Sequence, residues 1–244
     1  DSAVAKFEFA HSTNPDEPAI ACGFGHALLH AGRTDRARQM YAEAIGKARH
    51  HADLNFNYAL LLISQQELPA AREMLQAVAS ASRVDFFPGR FYLGLIYPSL
   101  NHFLADVFLH LGLVEHELLR ISEAAQCLIT AIERNPRQAG ALIALGDIRM
   151  EQRDYEDAIH RYATALEQNP LSDEVPELHM KLGMAFERTG DLADAVKEWR
   201  WVLQRDPHNI SALENLSRLV GESTTRSAAV AAAVSAAQAD GPST

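Results

Sequence analysis

The sequence predicts an all-α fold, an α-solenoid in which antiparallel helix hairpins stack on one another. Three observations predict it: small residues recur at fixed offsets, apolar residues recur at helical spacing, and proline ends the clearest blocks. The chain of 244 residues is 48% hydrophobic, which is typical of a globular protein. Its 32 acidic and 22 basic residues give a net charge of −10, so we do not expect it to bind nucleic acid.

A skeleton of small and apolar residues repeats along the chain. Its clearest copy consists of Gly146, Ala158, Tyr162, Ala165 and Pro170. Further copies begin 34 residues earlier at Gly112 and 37 residues later at Gly183, and two copies without the proline begin at Gly25 and Ala59. Because glycine within a helix costs about 1 kcal/mol relative to alanine, mid-helix glycines indicate that a neighbouring helix needs the space.

These copies resemble the tetratricopeptide repeat, a helix-turn-helix unit of about 34 residues. The resemblance covers five full units, within residues 18–85 and 105–209. It implies a right-handed superhelix in which the first helix of each unit lines a concave groove. It also implies that the groove serves as a docking surface for a protein or peptide segment.

The expected elements follow the repeat. In chain order they are the second helix of a partial repeat (1–17), two repeat units (18–85), an irregular inserted helix (86–104), three repeat units (105–209), a capping helix (210–220) and an Ala-rich helix or linker tail (221–244). Pro88 and Pro98 interrupt the pattern, and we expect a short helix from about Arg90 to Tyr97 and another from about Asn101. This insertion either changes the curvature of the stack or forms a dedicated binding element.

The resemblance also implies which side chains line the groove, because groove positions stand at fixed offsets from the small residue of each first helix. They combine apolar and acidic side chains with two histidines: His26, His30, Asp53, Phe56, Leu60, Asp106, Leu109, Leu113, Glu117, Ile143, Asp147, Met150, Glu151, Glu177, Met180, Met184 and Glu187. The implied groove positions therefore include seven acidic residues and one arginine, Arg188. We expect a basic, amphipathic partner whose binding weakens with salt. The alternatives are ordinary solvated helix faces, or a groove filled by the tail of the chain.

Metal binding and catalysis have little support in the sequence. His102, Asp106 and His110 are spaced by four and would share one helix face, but eleven histidines in a helical chain produce such spacings by chance. Cys22 and Cys127 stand far apart, so we expect neither a disulfide framework nor a cysteine-rich zinc site. We expect no catalytic residues, no bound metal and no cofactor.

These features favour a non-catalytic scaffold or adaptor that binds a protein segment. The alternative is the substrate-recognition arm of a larger enzyme, since similar arrays are attached to glycosyltransferases and sulfotransferases, and the start in mid-repeat favours it. No apolar run is long enough to span a bilayer, so we do not expect membrane insertion. A cytoplasmic location is favoured unless an upstream signal was removed, and self-association stays open.

Overall fold

The computed structural model describes residues 2–80, 91–92, 95–96, 99–168 and 174–223. These residues form twelve helices and two short strands: α1 (Ser2–Thr13), α2 (Pro18–His30), α3 (Thr34–Lys47), α4 (Ala52–Ser64), α5 (Leu68–Ala79), β1 (Phe91–Tyr92), β2 (Leu95–Ile96), α6 (Leu100–Glu117), α7 (Ile121–Arg134), α8 (Ala139–Glu151), α9 (Tyr155–Glu167), α10 (Glu174–Thr189), α11 (Leu192–Arg205) and α12 (Ile210–Ser223). The chain divides into two compact units, Asp1–Pro136 (unit 1) and Arg137–Thr244 (unit 2). Unit 1 therefore contains α1 to α7, and unit 2 contains α8 to α12.

Unit 1 consists of three helix hairpins preceded by α1. Helix α2 pairs with α3, α4 with α5 and α6 with α7, and each hairpin packs on the next. One apolar cluster gathers around Phe24, Leu28 and Tyr41, and a second gathers around Phe56 and Phe103. Because burying a large apolar side chain contributes about 1.5–3 kcal/mol, these clusters hold the hairpins together.

Unit 2 consists of two helix hairpins followed by α12. Helix α8 pairs with α9 and α10 with α11, while α12 packs on α11. The large side chains Tyr162 and Trp199 are buried inside the two hairpins. Helix α12 contributes less to the core, because Ala212 and Leu219 are its two buried hydrophobic residues among those whose side chains the structure describes.

The repeated glycines stand where the two helices of a hairpin approach most closely. A Cβ atom added at Gly112 would lie 2.8 Å from Leu128, one at Gly146 would lie 2.5 Å from Tyr162, and one at Gly183 would lie 2.2 Å from the Trp199 ring. Real Cβ atoms do not approach other atoms so closely, so a larger residue would force one helix to shift. This is the reason the sequence spaces a glycine and a large residue sixteen positions apart.

A residue with positive φ closes the turn between the two helices of each hairpin. These residues are Gly32, Gln66, Leu119, Arg153 and Gly190. The left-handed conformation lets the end of the first helix satisfy its last carbonyl groups, and glycine adopts it without steric cost. Three of the five turns nevertheless use a residue with a side chain, so the residue types do not show where these turns lie.

The insertion after α5 contains two short strands where the sequence predicts a helix. Phe91 pairs with Ile96 and Tyr92 with Leu95 in an antiparallel ladder, so the expected helix from about Arg90 to Tyr97 is wrong. Aromatic and β-branched residues fit a pleated strand better than a helix, which accounts for the difference. Residues 86–90, 93–94 and 97–98 of the insertion, including Pro88 and Pro98, lie outside the described residues.

The predicted fold class is confirmed: the chain is an all-α helical repeat built of stacked antiparallel hairpins. Helix α12 occupies the range in which a capping helix is expected and continues to Ser223. The tail at 224–244, for which an Ala-rich helix or a linker is expected, lies outside the described residues. None of the described helices has the length and hydrophobicity that a membrane span requires.

Candidate functional site

Two of the predicted groove residues in unit 1 are buried and do not face solvent. Asp53 is 5% exposed and Phe56 is fully buried. The Phe56 ring packs edge-on against Phe103, with their centroids 5.3 Å apart. Helix α4 packs on α2, α3 and α5 and contacts α6 through Phe56, and nine of its thirteen residues are buried. The assignment of Asp53 and Phe56 to an accessible groove is therefore wrong.

The other predicted groove residues on α4 and α6 are at least partly accessible to solvent. Leu113 is 40% exposed and Glu117 is exposed, whereas Leu60, Asp106 and Leu109 are half-buried. Leu60 packs against the second apolar cluster of unit 1. Among these five, Leu113 is thus the apolar side chain that a partner reaches most easily.

The two predicted groove histidines lie one turn apart on α2. Their ring centroids are 4.5 Å apart, with the planes tilted by 39°. His26 is half-buried and His30 is exposed. Burial, and then the neighbouring His30, hold the pKa of His26 below its ordinary value of 6.5. His26 is therefore neutral at pH 7 and adds no positive charge to this face.

The residues considered as metal ligands on α6 do not form a metal site. The Nδ1 atom of His102 lies 2.7 Å from the Ser99 hydroxyl, and the His110 ring lies 5.8 Å from the ring of Phe56. Burial lowers the pKa of His110, against the opposing effect of Asp106. In the part of the chain that the structure describes, no three His, Cys, Asp or Glu side chains are placed to hold a metal ion. The two imidazoles thus have different neighbours, so the structure gives no support to a metal site at these residues.

A buried ion cluster next to Cys127 joins α5, α6 and the residue that precedes α7. Glu115 is 2% exposed, and its two oxygens lie 2.6 Å from Arg72 Nε and 3.2 Å from Arg120 Nε. The second contact lies within ion-pair distance without the alignment of a hydrogen bond. Burial chiefly raises the pKa of Cys127 to about 11, so its thiol is protonated and unreactive at neutral pH. The cluster links helices and supplies no nucleophile.

Basic residues neutralise most of the acids predicted to line the groove in unit 2. The Nζ atom of Lys181 lies 2.7 Å from each carboxylate oxygen of Asp147. Lys181 also pairs with Glu177 at 3.4 Å, and Arg218 donates two hydrogen bonds to Glu187. Counting seven acids against one arginine therefore overstates the negative charge, because the count omits Lys181 and Arg218.

Both ion pairs follow the same geometric rule. Lys181 stands 34 residues after Asp147, and Arg218 stands 31 residues after Glu187. Each acid has an equivalent position in the first helix of the next repeat. In both cases the basic residue stands three residues before that position. The hydroxyl of Tyr162 also donates to Asp147 at 2.7 Å, and burial together with this bond raises the pKa of Tyr162. A basic residue that follows an acid by one repeat length minus about one helical turn is a signal that could have revealed both pairs in the sequence.

An open groove of about 630 Å³ lies between α10 and α12. It is lined by Pro176, Glu177, Met180, Met184, Asn209, Ser211, Glu214 and Asn215. Met184 is 40% exposed, and the side chain of Glu177 is 70% exposed. The structure thus brings three predicted residues together, namely Glu177, Met180 and Met184. The sequence prediction missed the residues of α12, because it placed groove positions on the five full units alone.

The other predicted residues of unit 2 do not line this groove. Ile143 and Met150 are half-buried on α8, and Glu151 is exposed at the end of that helix. Asp147 and Glu187 are held in the ion pairs with Lys181 and Arg218. The groove between α10 and α12 therefore contains part of the predicted set, and the rest is distributed over other faces.

The chemistry of the groove suits binding and offers no catalytic arrangement. Two flexible thioethers lie beside two carboxylates, Glu177 and Glu214, of which Glu214 is exposed on α12. The side-chain oxygen of Asn209 accepts from the Ala212 N–H at 3.0 Å and so caps α12. The Asn215 oxygen accepts from Arg218 at 3.4 Å. Such a lining can hold a long apolar side chain with a basic group at its edge.

Comparison with known protein families gives a consistent match. Two family models, both described as Tetratricopeptide repeat, match this sequence. One matches residues 109–158 and 143–210, and the other matches residues 28–85. Together these ranges span more than half of the chain. No curated protein matches the sequence.

Several solved structures have a similar fold. The TPR protein YrrB, described as having an unusual peptide-binding site, is 17% identical with a TM-score of 0.65, and the match covers 86% of this chain and 96% of that chain. The pilF protein of Pseudomonas aeruginosa is 15% identical with a TM-score of 0.70, covering 87% and 86%. The MamA protein is 17% identical with a TM-score of 0.62, covering 78% and 92%. At these identities the likeness concerns the fold alone.

Proposed function

We propose that this chain, which belongs to the tetratricopeptide repeat family, is a non-catalytic scaffold or adaptor that binds a protein or peptide segment. Proteins of this family are generally repeat scaffolds without catalytic activity. The peptide-binding site that is attributed to YrrB supports the proposal by analogy of fold. The function itself has to be argued from the surface of this chain.

The observation that carries the proposal is the groove between α10 and α12. Its volume of about 630 Å³ lies within the range of sites that hold a small ligand or a few side chains. Met180 and Met184 supply apolar surface there, and methionine repacks around different shapes at little cost. A segment that places one or two large apolar side chains in the groove would bury this surface.

The partner that fits this groove best is amphipathic and basic. Glu177 and Glu214 lie beside the two methionines, and a lysine or arginine next to an apolar anchor would reach them. Lys181 already pairs with Glu177, so the electrostatic contribution is modest and the apolar contacts supply most of the affinity. Charge would act mainly on the association rate and on selectivity between partners.

The proposal is tested with two fluorescent model peptides, one built of leucine and lysine and one in which glutamate replaces each lysine. We expect the leucine/lysine peptide to bind more tightly in fluorescence anisotropy. The double variant Met180→Ala/Met184→Ala should bind it about thirtyfold more weakly, since each truncation removes about 1 kcal/mol of apolar contact and the two together remove about 2 kcal/mol.

The matched control is Ile210→Ala, which removes an exposed apolar side chain of α12 outside the groove lining. This variant should bind the leucine/lysine peptide as the natural sequence does. Equal affinity for the two peptides would rule out the acidic selectivity. Unchanged affinity of the methionine double variant would rule out this groove as the binding site.

A further inference from the structure

An ion pair joins the two walls of the groove between α10 and α12 at one end of its lining. Arg218 of α12 donates two hydrogen bonds to the carboxylate of Glu187 on α10, one of them at 2.7 Å. Met184 and Asn215 are the last lining residues on their helices, and each stands three residues before a member of the pair. The pair therefore lies about one helical turn beyond the lining on both walls.

The apolar anchoring of α12 is slight. Helix α12 packs on α11, and Ala212 and Leu219 are its buried hydrophobic residues among those whose side chains the structure describes. Leu216 is half-buried against the same cluster, whereas Leu213 is 47% exposed. Because apolar stabilisation grows with the area removed from water, a polar bond from α12 to another helix has a large share in fixing its position.

The contact between Arg218 and Glu187 has the geometry of a strong ion pair. Both nitrogens at the end of the guanidinium bond to the two carboxylate oxygens, and such a two-pronged contact fixes orientation as well as distance. The side chain of Glu187 is 21% exposed and that of Arg218 is 43% exposed, so the acid is partly shielded from water. Arg218 also donates to the Asn215 oxygen at 3.4 Å, which links it to the groove lining.

We propose that Arg218 is a positioning residue, whose ion pair with Glu187 holds α12 at a fixed distance from α10 and so sets the width of the groove. Neither residue belongs to the lining itself. The pair therefore acts on a bound segment through the positions of the methionines on one wall and of Glu214 on the other. The positioning of α12 is independent of the proposed function, whereas its effect on peptide binding rests on that function.

Positioning and simple charge attraction give opposite expectations for one of two variants. Arg218→Gln removes a positive charge, so charge attraction alone would tighten binding of the leucine/lysine peptide. Glu187→Gln removes a negative charge and would weaken it. Since either change breaks the same ion pair, we expect both variants to bind the peptide about threefold more weakly in fluorescence anisotropy.

Amide hydrogen exchange of the full chain without peptide, read by mass spectrometry, tests the positioning directly. The amides of residues 210–219 should exchange about threefold faster in Arg218→Gln and in Glu187→Gln than in the natural sequence. The charge-swapped variant Glu187→Arg/Arg218→Glu should restore slow exchange and peptide affinity. The matched control is Lys197→Gln, which removes a lysine that pairs with Asp194 within α11. This control should change neither measurement.

Three results would overturn the proposal. The first is unchanged exchange of residues 210–219 in Arg218→Gln. The second is tighter peptide binding by that variant, which would assign its effect to charge. The third is a charge-swapped variant that exchanges as fast as the single variants. If the natural sequence binds neither model peptide, the proposed function fails, and the exchange measurements still decide the positioning of α12.

Discussion

The close contact between a small residue of one helix and a large residue of the next can be tested by exchanging one natural pair for another. A Cβ atom at position 25 would lie 2.4 Å from the Cζ atom of Tyr41 and 2.7 Å from its hydroxyl oxygen. The α4–α5 hairpin holds Ala59 and Leu75 at the same two positions, both fully buried. The chain therefore contains a pair that accommodates alanine where the α2–α3 hairpin requires glycine.

The expected free energies follow from these contacts. Gly25→Ala gains about 1 kcal/mol of helix propensity and loses about 2–3 kcal/mol through overpacking against the ring, for a net loss of about 1–2 kcal/mol. Tyr41→Leu loses about 2 kcal/mol of buried contact. It breaks no hydrogen bond, because the Tyr41 hydroxyl has no partner among the described residues. With leucine at position 41, Gly25→Ala should become neutral or stabilising, which gives a coupling energy of about 2 kcal/mol.

The assay is urea unfolding of the four proteins of this double-mutant cycle, followed by far-ultraviolet circular dichroism. Both tryptophans, Trp199 and Trp201, lie in unit 2, so tryptophan fluorescence does not follow the unfolding of unit 1 directly. If Gly25→Ala costs the same free energy with tyrosine and with leucine at position 41, the glycine is not there to make room for the ring. The packing argument for the repeated glycines would then be refuted.

Two further predictions concern charge and backbone conformation. Lys181→Met leaves Asp147 and Glu177 without their lysine; it should lower the stability of unit 2 by about 1 kcal/mol in urea unfolding and should tighten binding of the leucine/lysine peptide at low salt. Weaker binding of that peptide would show that these carboxylates do not attract the partner. Leu119→Gly should raise the unfolding free energy by about 1 kcal/mol, because Leu119 has a φ of 59° and is 84% exposed, so glycine relieves strain without losing burial. The control variant Leu119→Ala keeps the strain and should show no such gain. Urea unfolding measures the free energy of both variants.

The fold could be predicted from the sequence because its most restrictive contacts involve particular residue types. A Cβ atom at Gly146 would lie 2.5 Å from the Tyr162 ring, and a small residue followed by a large one sixteen positions later recurs in each described hairpin. The turn at Leu119 could not be predicted, since the turn geometry imposes a positive φ on whichever residue stands there. The short strands at 91–92 and 95–96 could not be predicted either, because an aromatic-rich segment between Pro88 and Pro98 is also compatible with a short helix.

The candidate site could be predicted less well, because charge in a repeat array depends on pairs formed between neighbouring hairpins. Asp147 and Glu187 belong to the predicted acidic face. Each nevertheless pairs with a basic residue of the next first helix, which stands one helical turn before the equivalent position. A sum over one face counts the acids and omits these partners, which stand at other offsets. What survives the pairing in unit 2 is the contact surface of Met180 and Met184 with carboxylates at its edge. Since screened or paired charges contribute little to affinity, we expect the methionines to supply most of the binding free energy of the proposed segment, and we expect the acids to affect mainly the selectivity between segments.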